Sequence, residues 1–428
     1  MNVLSSIAIL NPLSDFGISA YSFELAEGLS ANGVAVDVYM GGASPISELP
    51  DVRRHRCFPV LGSALLKQNL DAEYKPARES GPRSSSELST TWDDGVVKPE
   101  PARAQPGALR ASARNKFLEY ELAFHLKRKG YDLVWTQWPD IYGDSFWASC
   151  RRLGLRTAHT AHNVLPHEES SEDMSSLRRV YAKCDHLILH SEFSREELLR
   201  LFPNTASKTF VAPHGLYTIY PRCPEARTRV REKLNIAADQ IVCLICGGIR
   251  PYKNIDSSIR TLAKLPKDVL LIVAGREAGF EDCSATDALA HTRRVAESCS
   301  VEEQVKLIPN FLGRQELAEL FEAADILLLP YIKGYGSGLL LLGMTFRKYI
   351  VTTDTGGASE YLRHYPHHSL LANAEAGEIA EGIASGGRIL KSGIILSDSV
   401  LEDLQWPTIV RNALQRISAA DNPRVSGF

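Results

Sequence analysis

Short apolar runs along the chain alternate with stretches whose apolar residues recur at helical spacing. Val3 to Leu10 leads into Ser19 to Ala31, where Phe23, Leu25, Ala26 and Leu29 share one face, and then into Val34 to Tyr39. Such a β-α-β opening predicts a parallel sheet covered by helices. The rhythm returns at Leu133 to Thr136, Arg156 to Ala161 and His186 to His190. A second series runs through Ile241 to Gly247, Val269 to Ala274, Val305 to Ile308, Ile326 to Leu329 and Tyr349 to Thr353. Two such α/β sets in 428 residues predict two Rossmann-like domains, 1–215 and 216–395, joined near His214 to Pro224. Residues 396–428 carry Leu401, Leu404, Trp406, Ile409, Val410, Leu414 and Ile417 at helical spacing, broken by Pro407. They are expected to form a kinked helix pair packed on the first domain. Residues 71–112, rich in Pro, Ser, Arg and Glu, interrupt the pattern and read as a mobile insertion, either a lid over an acceptor or an inert loop.

Composition narrows the class. A net charge of −3 with 44% hydrophobic and 23% charged residues describes a globular protein with no bulk charge for wrapping nucleic acid. Met1 to Leu10 lacks a basic leader region and runs into Asn11-Pro12, as a first buried strand does and a signal peptide does not. No apolar run approaches the roughly 18 residues of a membrane span. Cys243 and Cys246 share an apolar strand-like run on opposite faces, which predicts reduced, buried thiols and a cytoplasmic setting.

The segment richest in chemistry is Cys246 to Asn254, Cys-Gly-Gly-Ile-Arg-Pro-Tyr-Lys-Asn, between a strand and a helix. Gly248 lets backbone approach a ligand, the helix start offers unpaired N–H groups, and Arg250 and Lys253 add two cations. Together these suit a diphosphate at the carboxyl end of a parallel strand; the plainer reading is a solvated turn.

This loop resembles the donor-diphosphate loop of GT-B glycosyltransferases, in which two Rossmann-like domains face each other across a cleft. The resemblance extends over nearly the whole chain outside 71–112. His162 to Glu168 (His-Asn-Val-Leu-Pro-His-Glu) is similar to the His-containing first-domain loop of a bacterial exopolysaccharide branch that includes β-mannosyltransferases. Ala212 to Gly215 resembles the segment entering the second domain, Phe311-Leu-Gly313 the nucleobase-side loop, and Thr355 to Glu360 the late Gly-Gly loop. The resemblance implies donor contacts from Gly17, Gly248, Arg250, Lys253, Asn310, Phe311, Ser337, Gly338 and Glu360. It also implies a nucleotide-sugar donor, GDP-mannose or a UDP-sugar, and a glycan or lipid-linked acceptor, and leaves open a peripheral position at the cytoplasmic membrane face.

One departure bears on mechanism. Retaining members usually carry two glutamates separated by seven residues, and Lys333 and Leu341 occupy those positions here. That favours inversion, with a base on the acceptor side and cations behind the leaving diphosphate. His162 and Asp15 are the candidate bases, His162 preferred. Its alternative roles are donor contact or loop ordering; that of Asp15 is capping the first helix. Without Asp-x-Asp, and with Ser171 where a HExxH motif from His167-Glu168 would need histidine, neither metal nor cofactor is expected. His364, His367 and His368 read as a solvated loop. A catalytically silent GT-B scaffold and a sugar-nucleotide epimerase stay open as alternatives.

Overall fold

The structure is a computed structural model that describes residues 4–11, 16–40, 52–56, 108–138, 143–165, 171–275, 286–310, 312–334, 338–393 and 398–420. The expected insertion therefore lies outside the described residues up to 107. From Ala108 the chain is a helix, Ala108–Lys129, so the last five residues of the expected loop are helical.

Two parallel sheets form among the described residues. The first holds β1 (Ser6–Asn11), β2 (Ala35–Met40), β3 (Val52–Arg56), β4 (Leu133–Thr136), β5 (Thr157–Thr160), β6 (His186–Leu189) and β7 (Thr209–Val211), in the spatial order β3-β2-β1-β4-β5-β6-β7. The second holds β8 (Ile241–Cys246), β9 (Val269–Ala274), β10 (Val305–Ile308), β11 (Ile326–Leu329), β12 (Tyr349–Thr353) and β13 (His368–Leu371), in the order β10-β9-β8-β11-β12-β13. Each order reverses at one point, between β1 and β4 and between β8 and β11, where open α/β sheets form their ligand crevice.

Strand alternation feeds distinct cores. Val242, Leu244 and Cys246 pack into one cluster, Cys243 and Ile245 into another, so the two thiols do face opposite ways. Burial pushes the thiol of Cys246 up to about 12 and that of Cys243 higher still, leaving both protonated and inert. The cluster holding Cys246 also contains Ile9, Tyr21, Leu216, Tyr217, Leu340 and Trp406, so a single apolar body spans both sheets.

Three strands have no counterpart in the sequence reading. Strand β3 is polar (Val-Arg-Arg-His-Arg), and β7 and β13 are only three and four residues long. His364 is exposed in a turn, as a solvated loop requires, but His367 is buried and His368 lies in β13, where pairing with β12 draws them in: Ile350 N–H bonds to the His367 carbonyl. Near Pro407 the expected pair does divide, into a 3-10 turn Asp398–Leu404 and the helix Trp406–Ala420, but the proline does not kink the helix. It sits in the first turn of the helix Trp406–Ala420, where its missing N–H has no intrahelical partner to lose.

That last helix lies on the first helix, Phe16–Ala31, with Asn32 Nδ2 donating to the Pro407 carbonyl (2.9 Å) and Trp406 Nε1 to the Leu216 carbonyl (2.6 Å). Glu24, fully buried on the first helix, ties down the segment between the domains. Its carboxylate accepts from the Thr218 N–H, the Thr218 hydroxyl (2.8 Å) and the Ile219 N–H (2.9 Å). On the other side of that segment, the helix Ala226–Lys233 is anchored by Arg227 and Arg231, which share Asp325 at 2.7 and 2.6 Å.

Burial raises the Glu24 carboxyl to about 7, its three hydrogen bonds only partly offsetting desolvation. A carboxyl raised above its unfolded value stabilises the fold at low pH and loses that contribution as pH climbs through the folded value. The melting temperature of the wild type relative to Glu24→Gln should therefore fall between about pH 4.5 and 7. A difference that does not change over that window, read by calorimetry, would show that Glu24 is not so desolvated.

Candidate active site

At the crevice of the second sheet, the chain leaves β8 through Gly247, whose φ of +84° suits glycine. A Cβ there would lie 2.8 Å from Lys253 Nζ, so the missing side chain is what lets the lysine fold back under its own loop. Lys253 is only 3% exposed, and its ammonium donates to the Cys246 carbonyl. Burial brings it down to about 8, against the pull of Cys246 and with the help of Arg250. A cation with one neutral hydrogen-bond partner among the described residues is poised for an anion that would repay its lost hydration. Arg250 is half-buried on the same turn, and Gly248, also half-buried, lies two residues before it. The helix Ile255–Leu262 starts directly afterwards with its dipole end towards them. Arg250, Asn254 and Ile255 also border a cavity of about 610 Å³ that reaches His291 and Thr292.

Along the carboxyl edge of the first sheet, from its crevice outward, three polar side chains and one backbone carbonyl follow four neighbouring strands. Gln137 is the first residue after β4, His162 the second after β5, His190 the first after β6, and the Ala212 carbonyl follows β7. His190 Nδ1 lies 3.2 Å from the Ala212 oxygen, His190 Nε2 lies 3.3 Å from His162 Nδ1, and His162 Nε2 lies 3.1 Å from the Gln137 side-chain amide. Tyr21 meets the His162 ring edge-on at 4.6 Å. Burial holds all the imidazoles here neutral. His190 falls to about 4 and His214 to about 3, and His162 falls well below its ordinary value, with His190, His214 and His159 adding repulsion.

The two domains meet beside this row. Tyr361 of the second domain donates to the His190 carbonyl (2.6 Å) and accepts from the His214 N–H (2.9 Å). Gly338 packs against Tyr217; a Cβ on it would stand 2.5 Å from the Tyr217 hydroxyl, which bonds to His214 Nε2 at 3.1 Å.

Several expected donor contacts are placed differently. Glu360 accepts from the Glu192 and Phe193 N–H groups, both at 2.8 Å, at the start of the helix Glu192–Leu201. Each of its oxygens thus caps the start of a first-domain helix, a contact the sequence does not suggest. Leu341 is buried in the core at 1% exposure and Lys333 is exposed, so neither forms an acidic pair. Asn310 is exposed, and Gly17, in the first turn of the first helix, has open space around it. Asp15, Phe311 and Ser337 lie outside the described residues, as do His167 and Glu168. Sequence reasoning missed Gln137, His190 and Tyr361. The position of Gln137 directly after a strand next to β1 is the signal that could have found it.

Residues 226–386 match the family model for glycosyl transferases group 1, and residues 77–218 match that for glycosyltransferase family 4. The D-inositol 3-phosphate glycosyltransferase of Xylanimonas cellulosilytica is 27% identical over 329 residues, 73% of this chain and 69% of that protein. The protein of the same name from Kineococcus radiotolerans is 27% identical over 333 residues, 73% of this chain and 67% of its own. A glycosyltransferase structure from Rickettsia africae superposes with a TM-score of 0.65 at 14% identity, covering 99% of this chain and 100% of that one. Anabaena HepE, solved with UDP and glucose, gives 0.62 at 15% identity, covering 97% and 100%. These similarities establish the GT-B fold.

The loop chemistry is open to a direct test with an anion. Lys253→Met should weaken binding of inorganic pyrophosphate or a nucleoside diphosphate by about 1.5–3 kcal/mol, the range of a charged hydrogen bond. Wild-type affinity should decline as pH rises through about 8, where the ammonium gives up its proton, and the variant should lack that decline. Equal calorimetric binding by the two proteins would take Lys253 out of the site.

Proposed function

We propose, for a chain whose second domain is that of a group 1 glycosyl transferase on the GT-B fold, that it moves a sugar from a nucleotide-sugar donor to a hydroxyl of a glycan or lipid-linked saccharide. The observation that carries the reading is the desolvated Lys253 ammonium beside Arg250, at the point where the order of the second sheet reverses. The pair would hold the donor diphosphate and stabilise it as it leaves. The donor is GDP-mannose or a UDP-sugar. A lipid-linked acceptor would bring the protein to the cytoplasmic face of a membrane; no helix among the described residues is long and apolar enough to cross one.

The transfer we propose is a single displacement without metal. An acceptor hydroxyl oxygen bonds to the anomeric carbon, its proton passes to a base, and the carbon–oxygen bond to the diphosphate breaks with its electron pair leaving on the nucleotide. His162, neutral and at the carboxyl end of β5, is the preferred base, and Asp15 the alternative. Neither Lys333 nor Leu341 can supply the carboxylates of a retaining site. A second reading concerns the acceptor. Both relatives named above are D-inositol 3-phosphate glycosyltransferases, which favours a phosphorylated polyol in place of a lipid-linked saccharide.

Incubation with GDP-mannose and UDP-sugars, against inositol phosphate and polyprenyl-linked acceptors, should give a β-linked product from an α-linked donor, in EDTA as well as without it. His162→Ala should lower turnover by about 10²-fold while nucleotide affinity holds. An α-product, read from the anomeric coupling constant by NMR, overturns the stereochemistry and leaves the transferase reading in place. Nucleotide binding without any turnover would point to a silent scaffold, and epimerised donor to an epimerase.

A further inference from the structure

The row Gln137–His162–His190–Ala212 has only one self-consistent direction. The Ala212 carbonyl can only accept, so the nitrogen 3.2 Å away, His190 Nδ1, carries a hydrogen. A neutral His190 then has a bare Nε2, which must receive a hydrogen from His162 Nδ1 at 3.3 Å. That leaves His162 Nε2 bare, and it needs a donor. The Gln137 oxygen, 3.1 Å away, cannot be one, whereas its amide nitrogen is buried with no hydrogen-bond partner among the described residues. Turning the amide over replaces two facing lone pairs with an N–H···N bond and exchanges an orphaned donor for an unpartnered carbonyl oxygen on the other side of the amide. The reverse direction would require a charged His190 in a site that has removed its water.

We infer that Gln137 is a positioning residue that, with His190, locks His162 as the neutral Nδ1–H tautomer, so that the ligand group reaching His162 must be a hydrogen-bond donor. A sugar hydroxyl meets that condition by displacing the Gln137 amide from Nε2. A phosphate or carboxylate oxygen does not, because it would set lone pair against lone pair. The row therefore sorts the two ends of the reaction: anionic oxygens belong to the cationic loop of the second sheet, and hydroxyls to the crevice of the first. The inference deepens the transferase reading and rests on it for the identity of the hydroxyl.

Among the described residues, the groups facing His162 are Tyr21 from the first helix, His159 from β5, His190 after β6 and His214 after β7. None is a carboxylate, so a carboxylate put in the place of Gln137 should dominate the local field. The full-length protein, labelled with ¹⁵N-histidine, should show His162 and His190 as Nδ1–H tautomers in long-range ¹H–¹⁵N spectra, assigned by loss of signal in His162→Gln. Gln137→Glu should draw a proton onto His162 Nε2. It should then add an acidic limb to the pH profile of kcat/KM and lower kcat about tenfold or more, with the KM for the donor unchanged. Gln137→Met, which keeps the volume without the amide, should mix the tautomers and give a smaller loss with no new limb. An Nε2–H His162 in the wild type overturns the inference, as does a Gln137→Glu protein with unchanged tautomer and pH profile. If no donor turns over, the transferase reading fails, yet the tautomer spectra still decide the row on their own.

Discussion

Burial of polar groups along the seam between the two sheets is the constraint that the rest of this molecule answers to. A carbonyl, an imidazole or a carboxylate removed from water costs several kcal/mol unless it meets a partner of the right polarity. The seam meets that demand repeatedly: Glu24 holds Thr218 and Ile219, Glu360 caps the helix after β6, and Tyr361 bridges the His190 carbonyl and the His214 N–H. Each contact joins residues distant in sequence, so the relative placement of the domains is written in hydrogen bonds as much as in the shared apolar cluster. The direction of those bonds then propagates. One backbone carbonyl, that of Ala212, determines which nitrogen of His162 is bare two residues away along the row.

The two crevices handle charge in opposite ways. In the second domain a cation is kept under a glycine-bearing loop, partly desolvated, beside a helix start. Its incomplete solvation disfavours the charged form and in the same measure strengthens its attraction for an anion. In the first domain the imidazoles are kept neutral by burial and by one another, and no charge faces an incoming ligand from that row. A diphosphate and a hydroxyl are therefore directed to different walls by electrostatics and by hydrogen-bond polarity respectively.

Much of the fold was legible in the chain because parallel strands buried on both faces are written as unbroken aliphatic runs. Val269–Ala274 and Ile326–Leu329 coincide with the runs read from sequence, and Ile241–Cys246 differs from its run by one residue. Strand β3 was not legible because an edge strand of Val-Arg-Arg-His-Arg has no apolar signature; β7 has three residues, and β13, His-Ser-Leu-Leu at the other sheet's edge, is mostly not buried. The loop with Gly248, Arg250 and Lys253 was visible because its residues are contiguous and each has a chemical reason to stand beside the next.

The sequence by itself determined the two α/β sets, the position of the cationic loop between a strand and a helix, and the absence of the acidic pair at Lys333 and Leu341. Only the tertiary structure decided that Glu360 caps a helix of the other domain, that Lys253 is buried beneath Gly247, and that Gln137, His162 and His190 form one row. The reason is physical. Strand and loop signals arise from neighbours within a few residues, whereas a row across the carboxyl ends of four strands exists only once the sheet has set their order and spacing.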